Sequence, residues 1–134
     1  MIYYIKLYAI TFTAFLAIDM VWLGFIAKSF YQKHLGNVMA PQINWPAAFL
    51  FYLLFVVGIL VFVVEPGLKD NSLQTTLWKA ALFGLITYAT YDLTNQATIK
   101  DWPYILTIVD ILWGAVLSTA VGAISFYAAR WLST

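Results

Sequence analysis

Apolar residues run almost unbroken through four stretches of the chain, parted by short polar segments. About 20 consecutive apolar residues suffice for a helix to cross a bilayer. The pattern therefore predicts an all-α integral membrane protein, a single four-transmembrane-helix bundle with spans at about 2–27, 46–64, 73–96 and 104–131. With four spans both termini lie on one side. Between the first two spans, Phe30, Tyr31, His34, Leu35 and Val38 recur at helical spacing within the longest polar stretch. They predict a short amphipathic helix on the membrane surface, or an extension of the first span, ending near Gly36. Trp45 suits the membrane interface and Pro46 the first turn of the second helix. That second span is apolar all round, which makes it the expected lipid-exposed member, and Glu65-Pro66-Gly67 is expected to end it.

Polar positions inside the spans follow the helical period as well. Gly84, Tyr88, Tyr91, Asp92 and Asn95 fall on one face of the third helix, with Phe83, Leu85, Ile86 and Ala89 opposite. In the fourth, Asp110, Gly114, Ser118 and Gly122 are four apart, a small-residue seam that admits close approach of another helix. Asp19 shares a face of the first helix with Phe15, Trp22, Leu23 and Ile26. Helices one and three run one way and helix four runs back, so Asp19, Asp92 and Asp110 all lie toward one membrane face. Each sits on the order of 6–13 Å deep at 1.5 Å per residue. Trp22 is one turn outward of Asp19 and Trp113 one turn inward of Asp110, which would place one indole over the acids and the other beneath them. Asp-x-x-Trp thus occurs twice, but on antiparallel helices, so it is a recurrence of chemistry and not of ancestry.

Composition agrees with membrane residence: 63% of the 134 residues are hydrophobic and 10% charged, with mean hydropathy +0.85, outside the range of soluble domains. A net charge of +1 without a basic run argues against nucleic acid as partner. The absence of cysteine excludes disulfides and zinc–thiolate sites. Lys6, Lys69, Lys79 and Arg130 fall on one side and Lys28, Lys33 and Lys100 on the other, a thin margin that favours a cytoplasmic N-terminus. The first span is too long, and carries too polar a residue, for a cleaved signal peptide.

A carboxylate at bilayer depth costs roughly 2.5–3.5 kcal/mol on insertion scales, whereas an intramembrane hydrogen bond returns about 0.6 kcal/mol. Helix glue is therefore a weak reason for three aspartates, since Asn or Ser would serve at lower cost. No Lys or Arg lies among them. Protons shared between the acids, or a bound cation, would resolve the charge. The expected site comprises Asp19, Asp92 and Asp110 as charge holders, Tyr88, Tyr91 and Asn95 as orienting groups, and Trp22 and Trp113 as walls. Its ligand would be a proton, a small cation or a lipid headgroup, with proton-coupled transport as one use. An all-oxygen ligand set suits a hard divalent cation such as Mg²⁺ or Ca²⁺ at Asp19, Asp92 and Asp110. Two alternatives stand beside this: a membrane-embedded enzyme acting on lipid by Asp general acid–base chemistry, and a structural subunit of a lipid-processing complex. So small a bundle also has reason to dimerise. Gly114, Ser118 and Gly122 are expected to serve packing and His34 to lie at the surface. Lys100-Asp101 is expected to form a solvated turn from which Lys100 could reach the mouth of the site.

The chain resembles the bacterial membrane proteins grouped as domain of unknown function 2177. The resemblance rests on Asp19-Met20-Val21-Trp22-Leu23-Gly24, Tyr91-Asp92-Leu93-Thr94-Asn95-Gln96-Ala97-Thr98, Asp101-Trp102-Pro103 and Val109-Asp110-Ile111-Leu112-Trp113-Gly114. It covers essentially the whole chain. It implies a four-span protein of the bacterial inner membrane, carries no catalytic assignment, and tilts the reading toward a lipid connection.

Overall fold

A computed structural model describes all 134 residues, 1–134, and the chain is helical without strands. Helix α1 spans Ile2–Ile26, α2 Lys28–Leu35, α3 Trp45–Lys69, α4 Leu73–Thr98 and α5 Tyr104–Leu132. α2 ends at Gly36, where the amphipathic period stops. Asn44 caps α3 by accepting from the Ala47 N–H at 3.2 Å, and Ser72 caps α4 by accepting from the Thr75 N–H at 3.1 Å.

Two helices contain a wide π-helical turn. In α1 it covers Trp22–Ile26, and the Ala27 N–H bonds back five residues to the Trp22 carbonyl at 2.7 Å. In α3 it covers Leu60–Val64, with the Glu65 N–H bonded to the Leu60 carbonyl. That second turn corrects the expectation that Glu65-Pro66-Gly67 ends the helix. A proline inside regular helix lacks its N–H and clashes with the carbonyl four residues back. The π turn widens the spacing just before it, so Pro66 begins a fresh turn and the helix continues to Lys69.

α5 is the central helix. Eleven of the 27 buried residues belong to it, and α1, α3 and α4 all pack against it. Its closest neighbour is α4. A Cβ added at Gly84 would lie 2.6 Å from the Gly114 carbonyl carbon, and nearer still to its oxygen. The two backbones therefore touch, and only glycine fits. Thr76, Ala80, Gly84 and Asp92 form the buried stripe of α4, meeting Gly114, Ser118 and Gly122 of α5. Tyr91 is 58% exposed and lies beside this stripe, not on it. Phe83, expected on the opposite side, packs against Phe55 at 5.2 Å between ring centroids.

Three helices, α1, α3 and α5, are long and apolar enough to cross a membrane. α4 has the length, 26 residues, but not the apolar character. α3 is not the most exposed of them: 28% of its apolar window is buried against 17% for α1. Val56, Ile59, Val63 and Val64 give α3 a fully buried edge that uniform hydrophobicity conceals. Trp102, in the connection between α4 and α5, is also buried, its indole N–H donating to the Thr107 hydroxyl at 3.1 Å.

Candidate functional site

Asp19, Asp92 and Asp110 are buried at 6%, 0% and 9% exposure, so none of them faces the outside of the bundle. Asp19 comes from the last turns of α1, Asp92 from late α4 and Asp110 from early α5. Because α5 runs antiparallel to α1 and α4, these positions fall at one end of the molecule. Each carboxyl meets a different fate.

Asp19 is fully engaged. Trp113 donates its indole N–H to Oδ1 at 3.3 Å and Tyr52 its hydroxyl to Oδ2 at 3.3 Å. Asp110 accepts on Oδ1 from the Tyr31 hydroxyl, and that hydroxyl accepts from the Trp22 indole N–H at 3.4 Å. Tyr31 lies on α2, outside the long helices. Burial and the facing Asp110 carboxyl raise its phenol above the ordinary value, so it stays protonated and remains a donor. Asp92 has no donor at all: both of its oxygens are buried without a hydrogen-bond partner. The Asp110 carboxyl is the acid beside it. Two carboxylates offer only acceptors to each other, so the contact is a hydrogen bond only when one carries a proton.

The two tryptophans do not lie above and below the acids. They stack on one another, ring centroids 4.4 Å apart and planes 8° from parallel. The packing of antiparallel α5 on α1 brings both indoles to the same level. Each then sends its N–H to a different acid system. The donors expected from α4 are absent. The Thr94 hydroxyl returns to the carbonyls of its own helix, Thr90 and Tyr91. Tyr88 packs its ring over Gly114, amid Asp19, Asp110, Tyr31 and Tyr52. Asn95 is half-buried, one turn beyond Tyr91, and bonds none of the acids. For Tyr91 the reason is angular: a residue next to Asp92 in sequence is turned about 100° away around the helix.

Tyr31 and Tyr52, which the sequence reading did not assign, supply the missing donors from α2 and α3. Tyr52 carries the only polar side-chain atom between Pro46 and Val64. That lone phenol in an all-apolar helix was the available signal.

No three His, Cys, Asp or Glu side chains converge closely enough to hold a metal ion. Asp19 takes its hydrogen bonds from Trp113 and Tyr52 and makes none to Asp92 or Asp110. A cavity of about 300 Å³ opens beside that pair, lined by Phe51 and Phe55 of α3, Thr87, Tyr88 and Tyr91 of α4, and Asp110. Lys100 does not reach it. With Asp101 it lines a separate polar cleft beside Lys33 and His34 at the end of α2. His34 bonds the Phe30 carbonyl of its own helix at 2.8 Å.

An all-helical chain with three helices apolar enough to span a bilayer is built as a membrane protein. It belongs to the family described as predicted membrane protein, DUF2177, which it matches over residues 4–127. No curated protein and no solved structure matches the chain.

Proposed function

We propose that the protein crosses the bacterial inner membrane four times and uses Asp92 and Asp110 as a site that holds one proton and exchanges it for a cation, the elementary step of proton-coupled transport. Asp19, tied to Trp113 and Tyr52, positions the tryptophan stack beside that pair. The observation that carries this reading is Asp92, wholly buried with both oxygens unpartnered beside a second buried acid, Asp110. A buried acceptor without a donor costs about 1–3 kcal/mol, more when charged. A single proton between the two carboxyls relieves that cost and halves the charge.

Reading α4 as the fourth span is supported by where its polar atoms go. Thr76, Gly84 and Asp92 face α5, while Trp78, Leu82, Leu85, Ile86 and Leu93 are exposed. The hydroxyls of Thr87, Thr90, Thr94 and Thr98 bond carbonyls one turn back on the same helix. Polar groups satisfied internally are compatible with a lipid-facing helix, and a mean over the segment understates that.

Infrared spectroscopy tests the proton directly, because a protonated carboxyl absorbs apart from a carboxylate. Folded protein at neutral pH is expected to show one such band, lost in Asp92→Asn and in Asp110→Asn. Folded wild-type protein without that band would overturn the proposal.

A further inference from the structure

Taking the Asp92–Asp110 pair as a proton and cation site, we infer the class of cation: a lipid-soluble organic cation, ammonium or phosphonium in an apolar frame, entering from the bilayer between α3 and α4. Three features of the site select it. The first is what lines the cavity. Phe51, Phe55, Tyr88 and Tyr91 wall it and Asp110 stands at its floor. Aromatic faces attract an organic cation through the ring quadrupole. A hard metal ion instead needs six or more oxygen ligands. The cavity offers such an ion only the Asp110 carboxyl, the Thr87 hydroxyl oxygen and the phenol oxygens of Tyr88 and Tyr91, too few to replace its water shell. At about 300 Å³ the space also matches the small end of organic-ligand pockets and would leave a bare ion largely unsurrounded.

The second feature is access. On the side of α2 the pair meets Tyr31, whose hydroxyl is bonded to Asp110. Sideways it is open. α3 and α4 approach closely around the π turn Leu60–Val64 but not at the level of Phe51 and Tyr91. Both of these rim rings are exposed, at 45% and 58%. A ligand arriving by this route comes through lipid, which selects cations that partition into it.

The third is the unpartnered Asp92. When the cation settles against Asp110, the proton shared by the two acids leaves to water. The site then holds two carboxylates and one cation in place of one carboxylate and one proton-bearing acid, and its net charge is unchanged.

Calorimetry on the full chain in a neutral detergent, run in two buffers of different ionisation heat, reads both binding and proton release. Tetraphenylphosphonium is expected to bind and release about one proton, and tetramethylammonium to bind at least about tenfold more weakly. Phe51→Leu, which keeps the bulk but not the ring, should weaken tetraphenylphosphonium roughly two- to thirtyfold, and Phe51→Trp should not. Phe51 lies at the rim, so both variants are expected to keep the protonated-carboxyl band.

If that band persists but tetraphenylphosphonium does not bind, the ligand class is wrong while the proton site stands. Tetramethylammonium binding as tightly would overturn the lipid route. Heat unchanged by Asp110→Asn would mean partition into the micelle and would likewise overturn the inference. Absence of the band in folded wild-type protein is a failure of the underlying site itself.

Discussion

The contact between α4 and α5 aligns Asp92 with Asp110, and Gly84→Ala tests it. The new methyl group would lie 2.6 Å from the Gly114 carbonyl carbon and 2.5 Å from the Ser118 hydroxyl oxygen. Ordinary contact begins at 3.4 Å and the Gly114 carbonyl oxygen is nearer still, so the two helices must part by more than the roughly 0.9 Å that the Ser118 contact alone requires, or tilt. Neither obstacle is the end of a flexible side chain: one is backbone, the other a hydroxyl on the packed face of α5. Overpacking of this kind costs roughly 1–3 kcal/mol, and a backbone obstacle places the value at the upper end. Exchanging Gly for Ala inside a helix also gains about 0.5–1 kcal/mol through the unfolded state and helix propensity. Gly24→Ala supplies the control, because a Cβ there meets nothing within 4 Å. The difference between the two variants isolates the clash and is expected near 3 kcal/mol in order of magnitude. Unfolding in mixed micelles of rising dodecyl sulfate fraction, followed by tryptophan fluorescence and circular dichroism, measures it. If both alanine variants unfold at the same point, α4 and α5 do not touch at Gly84, and the apposition of Asp92 with Asp110 loses its basis.

Two further outcomes are expected. The chain has no cysteine, so Ser72→Cys and Lys100→Cys report cleanly on the two ends of α4; an impermeant maleimide added to sealed, right-side-out vesicles should label one and spare the other. Labelling of both would mean α4 does not cross. Trp113→Phe keeps a ring against Trp22 but leaves Asp19 Oδ1 without its donor, at a cost of about 1–3 kcal/mol. The same change in an Asp19→Asn background should cost less, and equal costs in the two backgrounds would show that the indole N–H does not serve Asp19.

Much of this arrangement was legible along the chain. The ends of α1, α2, α4 and α5 follow from where apolar periodicity stops, and the inward direction of Asp110 from the Gly114–Ser118–Gly122 seam it shares. Features that depend on a second helix were not. Tyr91 groups with Asp92 along the chain because three- and four-residue steps define a face only to within about a hundred degrees. Packing against α5 then chose Asp92 and left Tyr91 outside. Pro66 reads as a stop, and only the π turn before it lets α3 continue. Counting residues puts Trp22 and Trp113 at different depths, yet they meet face to face, because the axial offset between α1 and α5 is set by how the two helices pack.

Membrane residence and the inward turn of three acids were determined by the sequence alone, because the cost of exposing a carboxyl to lipid acts on each helix by itself. Which acid is satisfied and which is left wanting was decided by the tertiary structure. The donors to Asp19 and Asp110 lie 94, 33 and 79 residues away in the chain, a separation no local period encodes. Only the packing of α1, α2, α3 and α5 assigns Tyr52, Trp113 and Tyr31 to those two acids and leaves Asp92 with nothing but another carboxyl to face.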